Sequence, residues 1–357
     1  MGINQGLATI SSDFMIAALL IYSLAVLAFA GDFAFGRPRR AATAAAMKAQ
    51  ERVPELATVG ASGGDSPAGS SGSGTGSSAP AGGSAAANAL PVRQASVFRA
   101  IRDAGKWVQA AVALSLAGVS AHLVAVVARG LAAHRAPWGN MYEFVTALTC
   151  IAAIFFVGLM LRYRAWSLGI WVMGAVVLAL GLAETVIYTA AGPLVPALQS
   201  YWLSIHVTAM TLATGIFFVS AVLGVLYIVA ARHEARIAAG KAVAGENGLL
   251  ARIPGKQQLD KLAYRTVIFG FPVWTFGVIA GAIWADEAWG RYWGWDPVET
   301  WAFITWVLYA AYLHARATAS FRRWAHYIQL IGFVSLVVNM LVVQVFITGM
   351  HSYAGLS

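Results

Sequence analysis

The chain has 357 residues, of which 59% are hydrophobic and only 11% charged, less than half the charged fraction of about 25% in an ordinary soluble domain. That balance excludes a soluble enzyme and predicts an all-α integral membrane protein with several crossings. The net charge of +9 then bears on orientation and on attraction to anionic lipid, with no nucleic acid implied.

Apolar runs near the length of about 20 residues needed to cross hydrocarbon lie at 12–31, 107–132, 141–161, 166–190, 201–231, 264–284, 299–317 and 327–348, which predicts about eight transmembrane helices. The first run lacks a basic segment before it and a cleavage site after it, and the basic RPRR (37–40) follows it, so it reads as a retained span and not as a signal peptide. Threading the chain from an external N-terminus puts 32–106, 162–165, 232–263 and 316–326 in the cytoplasm and both termini outside. All of the 24 Lys and Arg except Arg129, Arg135 and Arg291 then fall in the inner segments or at their helix ends, as the positive-inside rule requires.

Three regions follow from composition. Residues 1–31 form an N-terminal transmembrane helix, expected to stand isolated. Residues 32–95 form a flexible cytoplasmic linker, whose core GASGGDSPAGSSGSGTGSSAPAGGSAAANA (60–89) is Ala, Gly and Ser with no aromatic residue. Gly72, Gly74 and Gly76 there have neither a preceding strand nor a following Lys-Ser/Thr, so no phosphate loop is implied. Residues 96–357 form a seven-helix membrane domain with an external loop at 285–300. The single cysteine, Cys150, lies within the third span without a partner for an internal disulfide, so the chain is no dithiol oxidoreductase by itself. Nineteen Arg against five Lys, with abundant Ala and Gly, suggest a GC-rich bacterial genome and hence a bacterial cell membrane.

The external loop is unusual: WGRYWGWDPVETW (289–301) holds four of the thirteen tryptophans. His206, about five residues into the fifth span, and His351, just beyond the eighth, lie at the same membrane face. Two imidazoles and a bank of indoles (Trp289, Trp293, Trp295) at one level suit a flat apolar ring with two axial ligands. Haem fits best, with Arg291 and Arg135 as the external cations nearest its propionates. The plain alternative is an interfacial aromatic belt with solvated histidines. Asp296 has its own structural reading, since Asp-Pro-Val-Glu (296–299) is a helix start with Asp at N-cap, Pro at N1 and Glu at N3.

These residues carry a resemblance. WGRYWGWDPVETWAFITWVLYAAYLHAR (289–316), with PWGNMYEF (137–144), YWLSIHV (201–207) and GMHSYA (349–354), is similar to the WWD-signature haem-handling proteins of System II cytochrome c biogenesis, the CcsA or ResC type. The similarity covers about 100–357. It implies that His206 and His351 are external axial ligands to haem b iron and that His314 belongs to an inner, membrane-embedded haem site. His314 follows Pro297 by seventeen residues, about 26 Å of helix, so it falls near the cytoplasmic side, where a snorkelling helix-end histidine is the alternative. Trp289, Trp293, Trp295, Asp296 and Arg291 complete the expected cofactor-binding set, with no catalytic nucleophile.

The resemblance further implies that haem is moved to the outer face and presented to an apocytochrome c bearing Cys-x-x-Cys-His, within a haem lyase complex that includes a ResB-type membrane partner. Thiol-disulfide reductants would come from other proteins. A System I haem-handling protein and a membrane b-type electron carrier are the rival readings. Of the other histidines, His122 is expected to bond a neighbouring helix, His134 to supplement the site or be wet, and His233 and His326 to be solvated among basic residues. Glu143 either orients a ligand or caps the third span.

Overall fold

The computed structural model describes residues 2–36, 97–192, 200–241 and 253–351, and every regular element in them is helical. The expected linker lies outside the described residues, except Asp32–Gly36, a π-helical turn that closes the first helix.

Helix α1 (Gln5–Gly31) starts at Asn4, whose side chain accepts the Leu7 N–H, an N-cap bond that satisfies one of the orphan donors of a helix start. A short α2 (Val97–Asp103) leads into α3 (Lys106–Ala132). Then come α4 (Met141–Tyr163), again with an Asn N-cap at Asn140, and α5 (Gly169–Val186). Helix α6 (Tyr201–Ala238) is 38 residues long, about 57 Å, and so outruns a hydrocarbon layer of about 30 Å. Helix α7 (Lys256–Trp289) contains Pro272, and α8 (Pro297–Ala317) begins at the Asp-Pro-Val-Glu start. Helix α9 (Ala325–Val338) continues through a π-helical stretch, Asn339–Val343, to Phe346.

Seven of these helices are long and apolar enough to cross a membrane among the described residues, where eight were expected. The difference is α8. Its 21 residues are long enough to span, about 32 Å, but Glu299, Trp301, Trp306, Tyr309, Tyr312 and His314 dilute its apolar character. Tyr309 and Tyr312 are fully buried and face the bundle, while His314 is exposed. The protein is a multi-pass, all-α membrane protein.

The first helix is not isolated. Met15, Ala18, Tyr22, Ala28 and Phe29 of α1 join one core with α3, α4, α5 and the inner face of α6, and Ser11 donates to the Ala125 carbonyl of α3 at 2.8 Å. A second core joins α6, α7, α8 and α9 around Phe217, Trp274, Tyr309 and Tyr312. Helix α6 serves both cores. It thereby sets the height at which His206, in its second turn, meets the second half of the bundle.

Candidate functional site

The start of α6 and the end of α7 meet closely because α7 presents glycines four residues apart. A Cβ at Gly277 would come within 2.6 Å of Met210 Sδ, and one at Gly281 within 2.6 Å of the His206 ring. The furrow they leave receives His206, whose Nδ1 lies 2.7 Å from the Gly277 carbonyl oxygen. A carbonyl can only accept, so Nδ1 carries the proton and Nε2 is the lone-pair nitrogen.

His351 reaches the same place from the other end of the chain. Its Nδ1 is 2.8 Å from Asp296 Oδ2, while the Met350 N–H donates to Asp296 Oδ1 at 2.7 Å. Asp296 also caps α8 by accepting from Val298 N–H. Glu299 Oε2 reaches back to the Asp296 and Gly294 N–H groups at 3.1 and 2.9 Å, completing the capping box. Burial opposes ionisation of Asp296, but the hydrogen bonds from His351 and the Met350 N–H outweigh it and hold the carboxyl below its usual range. The ionised carboxylate can only accept, so His351 Nδ1 is the donor in this pair.

Trp284, 1% exposed, is in ring contact with both histidines. Its ring is parallel to His206 within 10° at 6.2 Å and edge-on to His351 at 5.8 Å, and Trp289 meets His351 edge-on at 5.0 Å. Both histidines, Trp284, Trp293, Trp138 and Asn339 line one open-sided cavity of ≈ 1270 Å³, counting solvent at its mouth. Among the described residues, Trp138 Nε1, Trp284 Nε1 and Asn339 Oδ1 are buried without a protein partner, polar atoms in a predominantly apolar wall.

The expected set is thus divided. His206, His351 and Trp293 border the cavity, and Trp289 packs on His351. Asp296 is the cap expected of it and, beyond that, the hydrogen-bond partner of His351. Trp295 is 66% exposed, has φ of 57°, and packs on Trp293 and Phe303 away from the cavity. Arg291 donates to Met350 Sδ at 2.7 Å, and Arg135 is held by Glu143 at 2.6 Å, so neither lines the cavity as a cation for propionates. His314 is exposed on the outer surface of α8, far along the helix from Asp296.

Residues 138–351 match the family described as cytochrome C assembly protein, which is more than half of the chain. The chain belongs to that family. A cytochrome c biogenesis protein CcsA of Guillardia theta is 38% identical over 239 residues, 62% of this chain and 77% of the relative. A protein of the same name from Gloeobacter violaceus is 31% identical over 316 residues, 74% of this chain and 90% of the relative. Among solved structures, a cytochrome c haem lyase CcmF superposes with a TM-score of 0.49 at 20% identity, over 69% of this chain and 43% of that one. This is therefore a CcsA-type cytochrome c assembly protein, and its process is cytochrome c biogenesis.

Within this assembly protein, three features escaped sequence reasoning. Trp284 lay at the edge of an apolar run, where nothing separates it from an ordinary core indole. The Asp296–His351 pair spans 55 positions of sequence and has no local signature. His326, expected to be solvated, is 1% exposed. Its Nε2 is 2.9 Å from Asp260, its Nδ1 is 2.8 Å from Gln329, and Tyr227 packs against its ring at 3.8 Å. Asp260 also pairs with Arg316 at 2.8 Å, so a polar knot ties the ends of α7, α8 and α9. His122, 0% exposed, lies 3.5 Å from Tyr22 of α1, in keeping with its expected contact to a neighbouring helix.

Glu143 is fully buried and accepts from Arg129 at 3.0 Å, Arg135 at 2.6 Å and the Gly139 N–H at 2.8 Å. Arg129 further donates to the Thr189 carbonyl and Arg135 to that of Gly192. Glu143 thereby fastens the Trp138–Met141 wall of the cavity.

Proposed function

We propose that this protein binds haem b in the cavity between His206 and His351 and presents it for attachment to apocytochrome c. The observation that carries this reading is that two imidazoles from α6 and the C-terminal segment, each with Nδ1 committed to an acceptor, border one aromatic cavity. A low-spin haem iron takes two such neutral imidazoles, and a committed Nδ1 is how proteins fix the orientation of a histidine ligand. The indoles of Trp284 and Trp293 supply apolar wall around a macrocycle.

Attachment adds each substrate thiol across a haem vinyl group. Sulfur bonds to one vinyl carbon, hydrogen to the other, and no net oxidation occurs. The chain's contribution is to hold the ring in position and shield its iron, with no nucleophile of its own. Substrate thiols must arrive reduced, which assigns that task to separate thiol-disulfide proteins, since Cys150 is buried and has no disulfide partner.

The cavity belongs to the external face of a bacterial cell membrane in this reading, with the 256–265 end of α7 inside. His314 would serve an inner haem site nearer the cytoplasm. Its exposure on the surface of α8 supports completion of that site by a ResB-type membrane partner and not by this chain alone. A System I protein or a membrane b-type electron carrier is not favoured by membership of the family whose named relatives are CcsA proteins.

The test is the visible spectrum of the purified full chain with and without its partner. A six-coordinate low-spin haem that becomes five-coordinate in His206→Ala and in His351→Ala is the expected result. Unchanged spectra in both variants would return the tryptophans to the role of an interfacial belt.

A further inference from the structure

The two cavity histidines are held by unlike acceptors. His206 gives its Nδ1 proton to a neutral backbone carbonyl, that of Gly277 at 2.7 Å. His351 gives its proton to the carboxylate of Asp296 at 2.8 Å, and that carboxylate is itself fixed by the Met350 and Val298 N–H groups and is nearly buried. An imidazole hydrogen-bonded to a carboxylate has partial imidazolate character and is the more basic ligand. Loss of such an outer partner typically costs about 10–100-fold in metal affinity. We infer that Asp296 is a positioning residue that makes His351 the stronger, retained axial donor to the haem iron and leaves His206 as the one exchanged for the substrate histidine. The inference rests on the proposed haem site.

The exchange involves no change in electron count. The bond from iron to His206 Nε2 breaks, the bond to the incoming imidazole forms, and His206 stays in its glycine furrow with Nδ1 still bonded to Gly277. Retaining His351 has a structural reason as well. Asp296 uses one oxygen for Met350 and the other for both Val298 and His351, so drawing His351 away would disturb the cap of α8.

The test uses the full chain loaded with haem, as wild type, Asp296→Asn, His206→Ala, His351→Ala and the two double variants, with imidazole replacing the missing ligand where a histidine is removed. Asn caps helices as well as Asp does, so with its oxygen in the Oδ2 place Asp296→Asn removes the charge, keeps the Val298 cap and the acceptor for His351, and gives up the Met350 N–H bond. Asp296→Asn is expected to keep a low-spin spectrum, raise the haem midpoint potential, and speed haem loss about tenfold. The same shift should appear in the His206→Ala background and vanish in the His351→Ala background. Carbon monoxide added to the ferrous protein should replace His206, so the iron–carbon stretching frequency of the adduct should respond to Asp296→Asn.

A potential unmoved by Asp296→Asn, while both histidine variants lose the low-spin spectrum, overturns this inference and leaves the haem site standing. An equal shift in the His351→Ala background would reduce Asp296 to a helix cap. A carbon monoxide adduct indifferent to Asp296→Asn would mean that His351 is the ligand given up. Spectra indifferent to both histidine variants would remove the haem site itself.

Discussion

Helices α7, α8 and α9 carry a histidine–carboxylate pair at each end, and the two pairs have opposite fates. At one end His351 gives Nδ1 to Asp296 and its ring borders the cavity. At the other, His326 has Nδ1 on Gln329 and Nε2 on Asp260, with Tyr227 over its ring and Gln329 itself bonded to Ser220. The chemical groups are the same, yet one ring borders a cavity and the other has both nitrogens hydrogen-bonded to protein groups. The carboxylate beside an imidazole therefore does not by itself distinguish a cavity-lining ring from a fastening.

The strongest way to break this comparison is at the cavity. His206→Ala or His351→Ala should reduce assembly of holocytochrome c at least about tenfold, the lower range for loss of a metal-site contact, with partial recovery on adding imidazole. The amount of haem-stained cytochrome c in cells checks it. Glu143→Ala should act on stability, because it strands Arg129 and Arg135 as buried cations. A loss of about 3–5 kcal/mol is expected, seen as a lowered melting temperature and poor accumulation in membranes.

His326→Ala sharpens the contrast directly. It should cost about 1–3 kcal/mol through the unmade bonds left on Gln329 and Asp260, and leave the spectrum of bound haem unchanged. A lost low-spin spectrum in a stably folded His326→Ala protein would erase the distinction between the two ends.

Acid should affect the cavity end through Asp296. Its folded pKa is lowered, so the stabilisation is fully present above the unfolded value of about 3.9 and is lost as pH falls through the lower folded value. Fluorescence of the tryptophan loop should therefore hold steady from pH 7 to about 5 and change only below about pH 4, with Asp296→Asn flattening that dependence. The smallest effect is expected for Trp295→Ala, which removes an exposed indole and should change stability by within about 0.5 kcal/mol without altering the haem spectrum.

Much of this arrangement could be read in the chain before folding. Span lengths, the charge asymmetry and the helix start at Asp296 are local properties, carried by hydropathy and by short-range hydrogen bonds. The common level of His206 and His351 followed from counting residues along helices. What stayed hidden depends on side chains brought together from distant elements. His326 sits beside Arg322 and Arg323 in sequence and reads as wet, and only the approach of Asp260, 66 positions away, buries it. Arg135 reads as an external cation until Glu143 and the Gly192 carbonyl enclose it. The Trp residues divided for a similar reason, since a positive φ at Trp295 turns it away from the cavity that Trp293 borders.

Helix α8 has its first turn moored by Asp296 and its last by the Arg316–Asp260 pair, one carboxylate at each end of a shaft about 32 Å long. A shaft held at both bearings cannot roll about its own axis. His314, two residues before Arg316 and on the outer side, is therefore kept at a fixed heading toward whatever adjoins the bundle there. Releasing either mooring would let the shaft turn and swing that imidazole off its mark, so the two ends of the molecule share a single torsional constraint.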